Sequence, residues 1–387
     1  MPRSPLTRRS VLLGVAAAAS SLVAACSKAK PRQAPTTSSS STTTTKPPAP
    51  QVTGTGIPAD LLAVMTRLYH GGPVAASPGV AAPLAARAPL TGSVATAGSV
   101  GTWGKTPIAV VTFDRDATLL VKEGGWRVVG GWWPSMKVAA QPAGLRRVLV
   151  VGSDARPGED PRRARGDSLH IVAFDGKGSG AVGGIPRDSW VPLSVGGVGK
   201  INSALSLGGP DALQRTVTSV TGVPLEGYVL TGFSGFQSAV DAVGGLRFDA
   251  PVTVIGTLGD TLVRKGPNML DGFRALNFAR DRHTVVGGDF GRSANQGLIM
   301  LAGATMLRVA GPRSLPGYLT RIGPHVITNL SAEKVLTLSS MAFRTPAAAF
   351  RSQVAPGRAG MQGAQSVVFL APEASKMFAG LRGGRFG

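Results

Sequence analysis

Apolar residues change their spacing along this chain, and the changes divide it. From Val11 to Ala25 they form one short run interrupted by Ser20 and Ser21, and after Cys26 a Ser/Thr/Pro stretch takes over. Ile57 to Tyr69 has the spacing of a short helix, with Leu61, Leu62, Met65 and Leu68 on one side. A Gly/Pro/Ala-rich stretch separates it from three strand-like runs, Ile108 to Phe113, Ala117 to Lys122 and Trp126 to Trp133. The turns Asp114-Arg115-Asp116 and Glu123-Gly124-Gly125 join these as consecutive hairpins. Beyond residue 145 the two periods alternate. Strands are predicted at 147–151, 168–174, 180–184 and 227–231, and helices at 208–221, 233–243, 271–280, 292–309 and after Ser331. That order predicts an α/β domain with a mixed central sheet flanked by helices, preceded by a small, mostly β accessory domain.

Two stretches depart from simple amphipathicity. Gly297 to Leu307 is apolar all round, which in a soluble domain predicts a helix buried on every side. Gly208-Gly209-Pro210 reads as a helix-start turn, since it lacks the Lys-Ser/Thr ending of a phosphate loop. Trp126, Trp132 and Trp133 suit either a sugar-stacking platform or a small-domain core; aromatics are only 5% of the chain, which favours the core.

With 387 residues and 43% hydrophobic content the chain can bury a sizeable core. Its formal net charge of +21 implies polyanionic surroundings: nucleic acid, anionic lipid or an acidic wall polymer. The N-terminus selects among these. Thr7-Arg8-Arg9-Ser10 is a twin-arginine pattern ahead of an apolar run too short for a membrane span, so residues 1–25 read as a signal peptide. It ends in Val23-Ala24-Ala25-Cys26, which looks like a bacterial lipobox, and Cys26 is the only cysteine, so no intramolecular disulfide exists. The alternative is an uncleaved signal anchor. Residues 26–56 are then a lipidated cysteine and a disordered linker, 57–143 the accessory domain, 145–381 the main domain and 382–387 a tail. An exported protein does not meet the chromosome, and no helix-turn-helix is evident, so no nucleic-acid partner is expected.

Candidate chemistry lies in two distant stretches. Gly152-Ser153-Asp154-Ala155-Arg156 follows the buried-strand run Val148-Leu149-Val150-Val151, so Asp154 sits where a strand opens into a loop. Arg165-Gly166-Asp167-Ser168 accompanies it, and the second stretch runs from Arg280-Asp281-Arg282 through Asp289 and Arg292 to Gln296. Carboxylates at Asp154 and Asp167 suit a magnesium ion, which uses one or two carboxylates plus substrate phosphates. The arginines suit the remaining phosphate oxygens.

Six segments in order, VLVVGSDAR at 148–156, RGDSLHIV at 165–172, IPRDSWVPL at 185–193, KINSALSLGGP at 200–210, FSGFQSAVDAVGGL at 233–246 and LNFARDRHTVVGGDFGRSANQ at 276–296, resemble the LytR-CpsA-Psr domain. The resemblance runs from about Leu145 to about Leu381 and implies an α-β-α phosphotransferase outside the cytoplasmic membrane. Its substrates would be a polyprenyl pyrophosphate-linked glycan and a peptidoglycan acceptor. It implies Mg2+ on Asp154 and Asp167, and a clamp of Arg156, Arg165, Arg187, Arg280, Arg282 and Arg292 with Gln296 beside it. Lys200 and Asn202 would fix the loop near the phosphates, and the apolar helix would line a tunnel for the polyprenyl tail. Asp289 orients an arginine or acts as base, and Asp188 orients Arg187 or joins the metal.

Two features depart from the family pattern. Members more often carry a single N-terminal transmembrane helix than a lipidated cysteine. The commonest last motif, Asp-x-x-Arg-x-x-Arg-Gln, here has Asn295 as its third motif residue, so one clamp charge is missing or displaced. Rival readings are a polyprenyl-pyrophosphate hydrolase and a non-catalytic lipid- or glycan-binding lipoprotein. Arg165-Gly166-Asp167 as an adhesion tripeptide and Ser331-Ala332-Glu333-Lys334 as a penicillin-recognising motif are discarded; Ser331 reads as a helix cap. His283 beside Arg282 is a candidate acid-base group but reads better as structural, as do His70, His170 and His325, whose spacing makes no zinc site.

Overall fold

Alternation along Arg146–Ser153 sends Leu149 and Val151 to one face of a sheet and Val148 and Val150 to the other. This strand is central in a six-stranded sheet ordered Ile327–Thr328, Tyr228–Thr231, Arg146–Ser153, Gly166–Phe174, Gly180–Gly184, Phe350–Val354. Arg146–Ser153 runs parallel to Tyr228–Thr231 and antiparallel to Gly166–Phe174, and Gly180–Gly184 runs parallel to Phe350–Val354, so the sheet is mixed. The computed structural model describes residues 50–256, 259–282, 284 and 287–386. The signal segment, Cys26 and most of the linker lie outside them.

One face, with Leu149, Val151, Leu169 and Ile171, packs on the helices Ser203–Thr221 and Ala374–Arg382. The helix Ser203–Thr221 is broken at Gly209, whose φ of 75° is open to glycine, and Pro210 starts the second segment. The other face lies under Asp289–Ala310 and Ala332–Arg344. Ser331 caps the latter, its Oγ accepting from Lys334 N at 3.3 Å.

N-terminal to this sheet a second one forms in sequence order, Val52–Thr55, Val94–Trp103, Thr106–Phe113, Asp116–Glu123, Gly125–Trp133 and Val138–Gln141. Val52–Thr55 lies inside the stretch read as linker, and it pairs with Val94–Trp103, a strand hidden in the Gly/Pro/Ala-rich segment. Glycine at 101 masks the strand signal for a packing reason: a Cβ there would stand 2.5 Å from the Pro316 carbonyl. On the helix Ala59–Tyr69 the buried stripe is Leu61, Val64, Met65 and Leu68, spaced for one helix face, and Leu62 is only half-buried. Trp133 is fully buried, its Nε1 donating to Thr118 Oγ1 at 2.8 Å, and Trp126 is buried too, so both serve the core; Trp132 is half-buried.

The two sheets share a core. Ile108, Val110, Leu119, Val121 and Val129 of the N-terminal sheet meet Leu315, Leu319 and Leu336 of the main domain's helices. At about 1.5–3 kcal/mol per buried side chain, the five contribute roughly 7–15 kcal/mol of gross transfer energy. That is comparable to the net stability of a domain, so the two sheets hold together as one compact unit.

Candidate active site

Strand directions bring the chemistry to one edge of the sheet. The C-terminal ends of Arg146–Ser153, Tyr228–Thr231 and Gly180–Gly184 and the N-terminal end of Gly166–Phe174 all lie there. They deliver Asp154, Phe233, Arg187 with Asp188, and Asp167 respectively. The ladder pairs Gly152 with Ser168 but Ser153 with Gly166, so Asp167 is the extra residue of a β-bulge. Bulges re-aim a side chain beside a site, and here the bulged carboxylate meets Arg187, whose Nη1 donates to its Oδ1.

Asp154 accepts from Arg165 N at 2.7 Å through Oδ1, and its own N–H donates to Arg165 O at 2.9 Å. These bonds close the intervening loop. Arg165 thus acts through its main chain; its side chain is exposed and lines neither cavity of the site among the described residues. Asp188 collects Lys200 Nζ and Asn202 Nδ2, each 3.4 Å from Oδ1, and lies 3.8 Å from Arg187 Nε. It orients its neighbours, and through it Lys200 and Asn202 hold the Pro186-Arg187-Asp188 turn. Arg187 Nε is buried and has no hydrogen-bond partner among the described residues, so one donor of this guanidinium stays unspent. Burial works against its charge, but Asp167, Asp188 and Asp289 outweigh that and push its pKa up.

From the other side come helix ends. Arg280 closes Gly272–Arg280 and stacks its guanidinium 4.2 Å from the Phe233 ring centre. Asp289 opens Asp289–Ala310 and forms an ion pair with Arg292, Nη2 lying 3.1 Å from its Oδ1, with Arg282 Nε 3.8 Å away. Burial pushes the Asp289 carboxyl up, but the charges of Arg292, Arg187 and Arg282 together carry it below the usual range. An ionised carboxylate at this position holds the arginines around it. Arg292 is 4% exposed; burial first, then Arg187 and Arg282, lower its pKa to about 10.

Asn295 is buried and donates from Nδ2 to Phe278 O at 3.2 Å, so its amide ties the two helices together and takes no part in the clamp. Gly297 continues that packing: a Cβ there would stand 2.1 Å from Ser352 Oγ.

These residues stand between two chambers. An outer cleft of about 650 Å3 is lined by Asp154, Arg156, Asp167, Arg187, Arg280, Arg282 and Arg292 on its polar side. An inner cavity of about 150 Å3 is walled mostly by apolar groups, among them Val150, Phe236, Ile299 and Met300, and Gln296 lines it too. Asp167, Phe233, Arg280 and Arg292 line both. The apolar helix expected to be buried on every side is not: Ile299 is its only buried large apolar residue, Met300, Leu301 and Leu307 are half-buried, and Val309 is 80% exposed. Its apolar groups face cavities where full packing was expected.

For magnesium the donor chemistry fits. Asp154 and Asp167 face one cleft, and each has committed one oxygen, Oδ1, to a protein donor. No group of three or more acidic, His or Cys side chains forms a ready cage among the described residues. Two carboxylates completed by phosphate and water are what this ion accepts.

His170, which lies in the segment RGDSLHIV and reads from the sequence as structural, is fully buried. Its Nε2 lies 3.0 Å from the Ser293 carbonyl, which can only accept, so Nε2 donates and Nδ1 accepts from Ser168 Oγ at 3.2 Å. It links the bulged strand to the residue beside Arg292. Burial lowers its pKa to about 4 from an ordinary 6.5. The folded value lies below the unfolded one, so the stability that neutral His170 contributes is complete above about pH 6.5 and is lost as pH falls toward 4. Between pH 7 and 5 this group should remove about 2 kcal/mol of unfolding free energy, read from urea midpoints. His170→Asn keeps a donor without titrating and should lose that part of the pH dependence; an unchanged drop would remove His170 as its source. His283 lies outside the described residues.

The LytR_cpsA_psr family matches residues 134–382. The probable cell wall biosynthesis protein LcpB of Corynebacterium glutamicum is 33% identical over 151 residues, 36% of each chain. A polyisoprenyl-teichoic acid–peptidoglycan teichoic acid transferase, TagU of Bacillus mycoides, is 34% identical over 196 residues, 49% of this chain and 62% of the relative. This chain therefore spans less than two thirds of the length of either relative. The crystal structure of B. subtilis TagV matches with a TM-score of 0.53 at 25% identity, over 62% of this chain and 98% of that one.

Proposed function

The chain belongs to the LytR-CpsA-Psr family, and from that membership we propose that it is an extracytoplasmic phosphotransferase moving a glycopolymer from a polyprenyl pyrophosphate carrier to peptidoglycan. The observation that carries the reading is the shared wall of Asp167, Phe233, Arg280 and Arg292 between an apolar cavity and a polar cleft. A ligand fitting both must be amphiphilic, with an apolar tail inside, an anionic group at the arginines and a polar body outside. A glycan joined through pyrophosphate to a polyprenyl chain has that order of parts.

In this reading Arg187, Arg280, Arg282 and Arg292 bind the pyrophosphate oxygens. Arg156 reaches the same cleft from the loop after Asp154. Asp154 and Asp167 would hold Mg2+, which when bound neutralises phosphate charge and favours displacement at phosphorus. An acceptor hydroxyl then attacks the phosphorus nearest the glycan; the new P–O bond forms as the bond to the bridging oxygen breaks, and polyprenyl phosphate leaves. Charge grows on phosphoryl oxygens and leaving group, where the arginines already point, so catalysis is positioning and electrostatic stabilisation. Asp289 and Asp188 are positioning residues that hold Arg292, Arg282 and Lys200. Identification of lipid extracted from the purified protein tests the assignment: a polyprenyl phosphate or pyrophosphate is expected, and a diacyl phospholipid alone would count against it.

The membrane tether is assigned to a lipidated Cys26. No helix among the described residues is long and apolar enough to cross a membrane. Intact mass of membrane-extracted protein should give a chain starting at a diacylated Cys26, whereas a chain retaining Met1 to Ala25 with a bare thiol would identify a signal anchor.

A further inference from the structure

Past the inner cavity lie two more apolar chambers, and the same helix stands among all three. One, of about 240 Å3, lies between the sheet and Ala332–Arg344; the other, of about 300 Å3, lies between Phe233–Ala242 and Leu315–Ile322. Met300 lines all three chambers, and Gly303 and Leu307 line the other two. Their spacing of three and four residues puts them on one face of Asp289–Ala310. Resting on the reading that a prenyl carrier has its phosphates at the arginines, we propose that Met300 and Gly303 set the length of tail this site accepts.

The first chamber is too small to decide affinity for a long tail by itself. An apolar cavity of about 150 Å3 takes a benzene-sized group, roughly one isoprene unit, so any longer tail must pass Met300. Methionine is unbranched, with three rotatable bonds, and can fold aside without disturbing the helix backbone. Gly303 comes one turn further. A Cβ built there meets nothing within 4 Å, so neither a close neighbour nor an unusual backbone conformation requires glycine. Glycine is nonetheless among the poorest residues for a helix interior. Its missing side chain leaves room in both further chambers, and from Arg292 to Leu307 the helix spans about 22 Å at 1.5 Å per residue.

Gly303→Leu in the full chain, compared with wild type for binding of dimethylallyl pyrophosphate and of a long-chain polyprenyl pyrophosphate, tests this directly. Wild type should favour the long tail. The variant should lose about tenfold or more of long-tail affinity while binding the short pyrophosphate as wild type does, with a thermal midpoint no lower. Met300→Trp should give the same selective loss, and Met300→Ala should retain long-tail binding. Equal long-tail affinity in wild type and Gly303→Leu overturns the inference and leaves the site reading standing. Binding of neither pyrophosphate by wild type overturns the site reading, and this inference with it.

Discussion

Asp154→Asn is expected to cut glycopolymer transfer by about 10²–10³-fold, the range for removing one preorganised contact to transition-state charge, with the unfolding midpoint close to wild type. The substitution separates two jobs of one side chain. An amide oxygen can still accept from Arg165 N, the contact that closes the loop at 2.7 Å, but it no longer supplies an anionic ligand facing the cleft. Asp167→Asn should lose as much activity and some stability as well, because it leaves the half-buried Arg187 guanidinium facing a neutral partner. Transfer rates at saturating magnesium, set beside thermal unfolding, make the comparison. A wild-type rate in Asp154→Asn would remove the metal from the account.

The second large effect belongs to Arg292. This guanidinium is 4% exposed and sits near Arg187 and Arg282, which with burial bring its pKa down to about 10. Such a charge costs the empty protein and is compensated when a pyrophosphate arrives. Arg292→Met should therefore weaken carrier binding by about 100-fold, near 2.7 kcal/mol, while shifting stability by no more than about 1 kcal/mol. Asp289 would retain Arg282 at 3.8 Å and its place at a helix N-terminus. A loss of about 3–5 kcal/mol of stability instead would identify an ordinary buried ion pair whose partner cannot stand alone. Calorimetric binding and denaturant unfolding on the same sample distinguish the two.

Much of this arrangement was legible before any coordinates. The apolar run Val148-Leu149-Val150-Val151 marks a strand buried on both faces, which is why 147–151 falls on Arg146–Ser153, and the predicted strands 168–174 and 180–184 fall on Gly166–Phe174 and Gly180–Gly184. Ser331 and Gly209 mark helix boundaries through capping and backbone conformation, both local properties. What escaped depends on partners distant in sequence. The bulge that turns Asp167 toward Arg187 is a matter of register with Arg146–Ser153, and no residue type announces it. That the Arg165 main chain closes the Asp154 loop was not legible, because an arginine's sequence position does not say where its N–H and C=O go. Val94–Trp103 was hidden by glycines whose purpose, such as admitting the Pro316 carbonyl at Gly101, exists only in the assembled fold. The helix Asp289–Ala310 is a subtler case. An all-round apolar composition is the same for a helix buried in a core and for one lining a cavity, and only the half-burial of Met300, Leu301 and Leu307 separates them. Asn295, read as a lost clamp charge, is a tie to the Phe278 carbonyl.

The central claim is that the carrier's glycan-side phosphorus is transferred to a hydroxyl on peptidoglycan. Purified full-length protein, Mg2+, peptidoglycan and a polyprenyl pyrophosphate-linked glycan labelled at that phosphorus test it in one vessel. Label should become covalently bound to peptidoglycan in step with release of unlabelled polyprenyl monophosphate, and chelation of the metal should stop both. Label appearing only as soluble glycan phosphate, at the same rate with or without acceptor, would contradict the transfer and identify a hydrolase.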